Sequence, residues 1–265
     1  MAHRPRLGQH FLHSSSALAR IARELGEQAR DADLVIEIGA GLGALTGRLL
    51  TAVPARVLAL EVDPRLAAAL RRHDRDGRLE VLEADVLALD LAQLIGERTR
   101  RPAVIAGNLP YYITSPILNR ILEAGAQVSA AVLLVQREVA SRIVARPGTR
   151  DFGYLSVLCQ AHGWPEALLT LPPSVFRPAP KVASTLVRLR IDPLYRQWGV
   201  TDRERFLDFA RLCFQHKRKT LLNNLAPRFG RSRVETLPEA GLRAEQLSAE
   251  RLAGLWTRLQ SLPQR

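Results

Sequence analysis

Seven short apolar runs recur along the first three quarters of the chain and predict the strands of a sheet. Patterns with the spacing of helices separate the first five runs, and such alternation is typical of a parallel α/β sheet. Little more than a proline-rich link joins the last two runs, which indicates a hairpin-like closing pair. The predicted strands lie at about 34–38, 57–61, 79–84, 103–107, 130–136, 166–171 and 184–191.

The pattern changes near Asp192-Pro193. Beyond this point apolar residues follow helical spacing, and no convincing strand is found in the sequence. The segment Thr201–Glu204 has the form of a helix capping box and predicts the start of a long amphipathic helix. We therefore predict two domains, a sheet domain over residues 1–193 and a small all-α domain over residues 194–265.

The first predicted strand enters a glycine-rich loop. Residues 34–43 read Leu-Val-Ile-Glu-Ile-Gly-Ala-Gly-Leu-Gly. Glycine permits positive φ and a close approach of a ligand to the backbone. In doubly wound sheets such a loop binds a nucleotide-like cofactor at the carboxyl ends of the strands. The loop alone does not identify that cofactor, because Gly39-x-Gly41-x-x-Ala44 also fits the dinucleotide fingerprint.

Polar residues follow the next three strands. Glu61 ends the second predicted strand, 20 residues after Gly41, and Asp85 and Asn108 end the third and fourth. An NAD enzyme needs a carboxylate for the ribose, but it does not require polar residues at the positions of Asp85 and Asn108. S-adenosylmethionine needs a carboxylate for its ribose and a polar group for its adenine amine, so we favour it. Each acid has the alternative role of a helix N-cap, which is the better interpretation for Asp63 before Pro64.

The residues Gly107-Asn-Leu-Pro-Tyr-Tyr indicate methylation of an exocyclic adenine amine. This amine is a poor nucleophile, so an enzyme must draw both of its hydrogens out of the ring plane with two acceptors. The side-chain carbonyl of Asn108 and the backbone carbonyl of Leu109 are the candidates, and Pro110 stiffens the turn that aims them. Tyr111 offers a flat face on which an extruded base can stack. The alternative is an ordinary helix-initiating turn.

The amino-acid composition and charge restrict the setting of the protein and the class of its binding partner. The chain has 265 residues, 47% of them hydrophobic, and no apolar run reaches the length of a membrane span. No signal peptide is indicated, and two cysteines without metal-ligand spacing around them predict no metal site and a reducing, cytoplasmic setting. The net charge is +12, and residues 194–265 hold 14 Lys or Arg and 7 Asp or Glu, a net charge of +7. We therefore expect a polyanionic partner.

Motifs along nearly the whole chain resemble those of the KsgA-type family of small-subunit rRNA adenine N6,N6-dimethyltransferases. No single motif is decisive, but their order and spacing together are highly specific. They are Leu7–Leu12 (LGQHFL), Ile36–Thr46 (IEIGAGLGALT), Glu61–Asp63, Asp85, Gly107–Tyr111, Gln136–Val139, Phe152–Ser156, Pro172–Val182 (PPSVFRPAPKV) and Phe214–Asn223 (FQHKRKTLLN).

The resemblance implies a Rossmann-like, seven-stranded methyltransferase sheet, S-adenosylmethionine as the methyl donor, and two adjacent adenosines near the 3′ end of 16S rRNA as the target. The substrate would be 16S rRNA within a 30S or pre-30S particle, and a monomer is the default oligomeric state. Carried over to this sequence, the cofactor positions are His10, Leu12, Gly39, Glu61, Asp85 and Asn108.

Two residues depart from the family pattern, since His10 and Tyr112 stand where the family usually has Asn. The resemblance also implies that Phe176, in the proline-rich loop, closes over the base opposite Tyr111. Its alternative role is that of a core-anchoring side chain. Together with the Asn-Leu-Pro-Tyr residues 108–111, Phe176 completes the predicted catalytic set.

The basic cluster His216-Lys217-Arg218-Lys219 is expected to contact RNA phosphates, with a solvated helix face as the alternative. Three other functions remain open. They are dimethylation of 23S rRNA, a ribosome-assembly factor whose methylation is secondary, and, least favoured, an NAD oxidoreductase. The long proline-rich loop and the segment 214–223 favour the small-subunit enzyme over the 23S rRNA enzyme.

Overall fold

The computed structural model describes residues 10–261. Its helices are α1 Ser15–Gln28, α2 Ala44–Ala52, α3 Pro64–Leu70, α4 Leu91–Gly96, α5 Thr114–Glu123, α6 Arg137–Ile143, α7 Tyr154–His162, α8 Leu194–Gln197, α9 Arg203–Cys213, α10 Leu221–Phe229, α11 Arg231–Glu235 and α12 Ala249–Ser261. Its strands are β1 Phe11–Leu12, β2 Leu34–Ile38, β3 Arg56–Glu61, β4 Leu79–Glu83, β5 Ala103–Asn108, β6 Val128–Gln136, β7 Gly163–Leu171, β8 Phe176–Arg177 and β9 Ser184–Ile191.

Seven strands form one sheet in the order β4-β3-β2-β5-β6-β9-β7. The pairs β2–β3, β3–β4, β2–β5 and β5–β6 are parallel, and β9 runs antiparallel to β6. All seven predicted strands are present, and β7 and β9 are neighbours as the closing pair requires. The strand β2 is buried along its full length, as is usual for a parallel strand whose two faces are both covered. The order changes direction between β2 and β5, which is where such sheets bind ligands.

A second sheet was absent from the prediction. It has two short antiparallel strands, β1 and β8, in which Phe11 is opposite Arg177 and Leu12 is opposite Phe176. This pairing ties the N-terminal motif to the proline-rich loop more than 160 residues later. The first part of that motif, Leu7 to Gln9, lies outside the described residues.

The chain divides into two compact units. The first unit contains the residues up to Ala140 and Glu166–Ile191, and the second contains Ser141–Pro165 and the residues from Asp192 onward. The predicted boundary near residue 193 therefore adjoins one break. The predicted division into 1–193 and 194–265, however, does not group residues 141–165 with the C-terminal helices.

Contacts within the second unit explain why this segment belongs to it. The Phe152 ring lies 6.0 Å from the Phe214 ring, edge to face. The backbone N–H of Gly148 donates to the Glu245 carbonyl at 2.6 Å. Such contacts join residues far apart in sequence, so the local pattern of apolar residues carries no sign of them.

Helix caps follow local chemistry, with one correction. Asp63 caps α3, and its carboxylate accepts from the Arg65 N–H at 2.9 Å, as preferred for this residue. The predicted capping box beginning at Thr201 is wrong by one residue, because Asp202 is the N-cap of α9 and accepts from the Arg205 N–H at 3.1 Å. A carboxylate is at least as good a cap as the neighbouring hydroxyl.

Candidate active site

A pocket of about 210 Å³ lies at the carboxyl ends of β2, β3, β4 and β5, within the first unit. We call it the strand-end pocket. It brings together most of the predicted cofactor and catalytic residues, because parallel strands place their carboxyl ends at the same edge of the sheet. Its walls are formed by His10, Phe11, Ile38, Gly39, Gly41, Leu60, Glu61, Val62, Ala84, Asp85, Val86, Asn108, Leu109, Pro110, Tyr111, Tyr112, Ile113 and Ile117.

The glycine loop forms the floor of the strand-end pocket. Gly41 has φ +58°, and a Cβ built on it would lie 3.0 Å from the Phe11 ring. A side chain here would meet both a strained backbone and the residue that forms the adjacent wall. The Gly39 N–H donates to the Leu60 carbonyl at 2.9 Å, so the loop is tied to the end of the neighbouring strand.

Glu61 is buried, with 3% of its surface exposed, and lines the pocket. One carboxylate oxygen accepts from the Gly41 N–H at 2.8 Å and the other from the Asp63 N–H at 3.0 Å. A carboxylate has about four lone-pair positions, so these two bonds orient Glu61 and leave capacity for further donors. The residue therefore fits the acceptor that two ribose hydroxyls require.

Glu37 is a buried acid to which the sequence assigned no role. It lies on β2, is 2% exposed, and its carboxyl receives a hydrogen bond of 2.6 Å from the Thr46 hydroxyl. Burial raises the pKa of Glu37 to about 8, and the nearby negative charge of Glu61 acts in the same direction. Glu37 is therefore mostly protonated at neutral pH, which limits the negative charge beside the pocket. Glu37 could have been selected from the sequence, because it is an acid inside an otherwise apolar predicted strand.

Asn108 is held in one orientation by the chain's N-terminal segment. Its side-chain N–H donates to the His10 carbonyl at 2.8 Å, so the amide oxygen is the acceptor that remains. His10 is fixed in turn, with Nδ1 2.7 Å from the Pro178 carbonyl and its ring 5.3 Å from the Tyr111 ring. His10 thus supplies a backbone acceptor and a ring contact in place of the family's usual Asn.

The rest of the Asn-Leu-Pro-Tyr turn is also anchored. The Leu109 N–H donates to the Leu134 carbonyl at 3.1 Å, and the Pro110 carbonyl accepts from the Ile113 N–H at 3.2 Å. The turn leads directly into α5, so the helix-initiating alternative describes its backbone. Asn108 is not the cap of that helix, however, since its side chain bonds to His10.

Tyr111 is half-buried, and its hydroxyl lies 2.8 Å from the hydroxyl of Ser184, a fully buried residue on β9. Burial raises the pKa of Tyr111, and the hydrogen bond to Ser184 opposes part of that shift. Tyr111 is therefore a neutral phenol, and its ring is held as a pocket wall. Ser184 is a positioning residue that the sequence analysis missed. Beside it, Tyr112 is 67% exposed at the pocket edge.

Asp85 lines the pocket and also caps a short helical turn, since its carboxylate accepts from the Leu87 N–H at 2.9 Å. Its two predicted roles are therefore compatible. One oxygen serves the backbone, and the carboxylate keeps further acceptor positions for a ligand.

Two of the predicted cofactor and catalytic residues are not part of the pocket lining. Phe176 is 2% exposed and Leu12 is 7% exposed, and both belong to the hydrophobic core. They are paired across β1 and β8, which turns both side chains into this core. The core-anchoring alternative therefore describes Phe176 in this structure, and the expected base clamp stays a prediction. Phe11, which the sequence analysis did not select, lines the pocket where Leu12 was expected.

The basic cluster His216–Lys219, which we call the basic turn, lies between α9 and α10. The alternative of a solvated helix face is wrong, because α9 ends at Cys213 and the cluster forms turns. All four side chains are exposed. Buried Asn224 holds the backbone: its oxygen accepts from the His216 N–H at 3.1 Å, and its amide donates to the carbonyls of Cys213 and His216 at 3.0 and 3.2 Å. The Lys217 ammonium also donates to the Arg150 carbonyl.

Other chemistry is limited in the described part of the chain. No three His, Cys, Asp or Glu side chains among residues 10–261 are grouped so that they could hold a metal ion. The thiols of Cys159 and Cys213 are free and buried, and burial raises the pKa of Cys159 to about 12. None of the described helices is long and apolar enough to cross a membrane.

A seven-stranded sheet of this order, with a glycine loop and strand-end acids around one pocket, defines the class of Rossmann-like S-adenosylmethionine-dependent methyltransferases. The chain belongs to the ribosomal RNA adenine dimethylase family, whose model matches residues 1–261.

Relatives and solved structures agree with this assignment. The chain is 43% identical to "Ribosomal RNA small subunit methyltransferase A" of Koribacter versatilis over 97% of this chain and 95% of the relative. It is 44% identical to the protein of that name from Acidobacterium capsulatum, over 97% and 92%. The fold is similar to that of a dimethyladenosine transferase from Plasmodium falciparum, with a TM-score of 0.74, 23% identity and coverage of 94% and 96%. It is also similar to the 23S rRNA methyltransferase ErmE, with a TM-score of 0.70, 29% identity and coverage of 95% and 100%.

Proposed function

We propose that this protein dimethylates two adjacent adenosines near the 3′ end of 16S rRNA, with S-adenosylmethionine as the methyl donor. The observation that carries the proposal is the hydrogen bond from the Asn108 amide to the His10 carbonyl, 2.8 Å long, at the edge of the strand-end pocket. It leaves the Asn108 oxygen as an acceptor beside the Leu109 carbonyl. Two acceptors in one turn match the two hydrogens of an adenine amine.

The strand-end pocket supports the donor assignment. Glu61 keeps acceptor capacity for ribose hydroxyls, Asp85 for the adenine amine, and the backbone at Gly39 offers a side-chain-free floor. The sulfonium of the donor supplies an activated methyl group, so the protein's contribution is orientation and electrostatics. Tyr111 supplies a fixed ring on which the target base stacks.

No strong general base is required in this scheme. The amine attacks first and loses its proton afterwards, so the acceptors need only hold its hydrogens in the attacking geometry. Protonated Glu37 is hydrogen-bonded to Thr46 and contributes no additional negative charge beside the pocket. The scheme does not depend on Phe176, whose side chain is buried in the core.

The second unit would dock the substrate. We propose that the four exposed side chains of the basic turn contact rRNA phosphates of a 30S or pre-30S particle. A net charge of +7 over residues 194–265 favours such contacts. With this substrate, the protein would act in the cytoplasm, as a monomer.

Methylation of 23S rRNA is the nearest competing function, since ErmE has a similar fold at 29% identity. The relatives at 43% and 44% identity favour the small subunit. A role in ribosome assembly can coexist with methylation in the same chain.

One experiment tests the proposal directly. Purified protein and S-adenosylmethionine are incubated with 30S particles or with 50S particles from a strain that lacks the modification. Reverse transcription is then read across both rRNAs. Dimethylation blocks the Watson–Crick edge, so we expect two adjacent stops near the 16S 3′ end and none in 23S rRNA. Stops confined to 23S rRNA would establish the competing function.

A further inference from the structure

A second concavity, far larger than the strand-end pocket, lies entirely within the second unit. It is formed by α9, α10, α11 and α12 and has a volume of about 1440 Å³. We call it the arginine groove. Its lining residues are Arg205, Asp208, Phe209, Arg211, Leu212, Gln215, Arg228, Phe229, Gly230, Ser232, Arg233, Thr236, Trp256 and Gln260. None of the basic-turn residues belongs to this lining.

The charge of the arginine groove is strongly positive. Its lining holds four arginines and a single carboxylate, Asp208, which is paired with Arg211 at 2.6 Å. Within the described residues 10–261, Arg205 has one carboxylate partner, Asp202 at 3.3 Å, and both side chains are substantially exposed. Arg228, at the end of α10, is exposed and has no carboxylate partner among residues 10–261. The groove therefore presents guanidinium groups that are available to an anionic ligand.

The floor of the groove is rigid and aromatic. The Phe209 ring lies 6.1 Å from the Phe229 ring and 5.4 Å from the Trp256 ring. The cluster packs three of the groove-forming helices together and fixes the spacing of the arginines above it. Neutral donors and acceptors at the rim, such as Gln215 and Gln260, add hydrogen-bonding capacity without negative charge.

We propose that the arginine groove binds the phosphodiester backbone of an RNA segment distinct from the one held by the basic turn. Arginine matches phosphate in a two-pronged geometry and is favoured in nucleic-acid sites. The volume exceeds the range of about 300–1,000 Å³ that is usual for small-ligand pockets, so a polymer segment suits it better. The proposal rests on the proposed function in one respect, because it takes rRNA as the polyanion.

The test compares two double variants of the full chain. Arg205→Ala/Arg228→Ala removes the two most available groove arginines and leaves Arg211 and Arg233, which contact Tyr154 and the Leu259 carbonyl. Arg231→Ala/Arg251→Ala removes the same charge from exposed positions of the same unit outside the lining. Affinity for 30S particles and for protein-free 16S rRNA is measured across a salt series.

The groove variant should flatten the slope of log affinity against log salt by about 1.4–1.8 units, since each phosphate contact contributes about 0.7–0.9. At 0.1 M salt, the loss of one phosphate contact should therefore lower the affinity about sixfold. The control variant should change the slope by much less on both RNAs. Donor binding and the midpoint of thermal unfolding should match those of the unmodified protein.

Three results would overturn the proposal. The first is an unchanged slope in the groove variant, and the second is an equal change in the control. The third is weaker binding to particles with normal binding to protein-free rRNA, which would assign the groove to an acidic protein surface. Failure of the proposed function is separable from all three, because it would appear as missing stops near the 16S 3′ end with the unmodified protein.

Discussion

The strand-end pocket and the basic turn use polar side chains in opposite ways. In the pocket, Glu61 and Asn108 are each fixed by hydrogen bonds to backbone groups before any ligand arrives. In the basic turn, four exposed side chains project from a backbone that buried Asn224 holds. A reaction at one atom requires side chains in fixed positions, whereas attraction to a polyanion requires only positive charge near it. Substitutions that keep charge but move atoms should therefore harm the first region more than the second.

The largest effect is expected from Asn108→Ala. It removes one of the two acceptors that we propose at the reacting amine, and removal of one such preorganised group typically costs about 10²–10³ in turnover. Methyl transfer to 30S particles is measured under single-turnover conditions. Donor affinity is measured separately by calorimetry, because Asn108 also lines the strand-end pocket. Near-normal turnover would contradict the acceptor role and remove the contrast between the two regions.

The basic turn should respond through affinity. Lys217→Ala/Arg218→Ala/Lys219→Ala should flatten the salt slope for 30S binding by about two to three units, on the order of 100-fold in affinity at 0.1 M salt. The control replaces Lys217 and Lys219 by Arg, which keeps the charge and should largely preserve the slope. The rate at saturating particles and the donor affinity should be retained. A loss of donor binding would show that the turn supports the fold instead.

Glu61→Ala should weaken S-adenosylmethionine binding by about ten- to hundredfold, the scale for lost hydrogen bonds to a charged group. It also leaves the N–H groups of Gly41 and Asp63 without their acceptor. Glu61→Gln, which can still accept one of those bonds, separates loop collapse from lost ribose contacts. Affinity for 30S particles should change little in either variant. Unchanged donor affinity in the Ala variant would return Glu61 to a purely structural role.

A smaller effect is expected on the pH dependence of the free energy of unfolding. It compares one buried titratable group from each of the two units. Glu37 in the first unit has its pKa raised from 4.5 to about 8, so the folded state binds more protons than the unfolded state between these values. Stability should therefore fall as pH rises through this window, by up to about 1.4 kcal/mol per pH unit. Glu37→Gln should remove this loss.

His162 in the second unit has the opposite dependence. Burial lowers its pKa from 6.5 to about 4, and its Nδ1 lies 2.8 Å from the Leu158 carbonyl. The unfolded state binds the proton more readily, so stability should fall as pH decreases from about 6.5 to about 4. Urea unfolding at several pH values checks both arms, with His162→Gln expected to flatten the acid arm. A Glu37→Gln protein with an unaltered alkaline arm would contradict the shifted pKa.

The sequence by itself determined the sheet and most of the strand-end pocket. Strand periods, the glycine loop and the polar residues at the strand ends are local signals, and parallel strands place their carboxyl ends at one edge. Gly39, Glu61, Asp85 and Asn108 therefore came together as predicted. The family followed from the order of the motifs, and the family model confirms it.

The tertiary structure decided what depends on pairing between distant segments. The β1–β8 pair buries Leu12 and Phe176, which an isolated aromatic in a proline-rich loop does not reveal. The bond between Asn108 and His10 spans 98 residues, and the protonation of Glu37 depends on complete burial of its strand. The basic turn and the arginine groove depend on where helices end and pack. Burial and long-range contact are properties of the assembled core, so local pattern could not supply them.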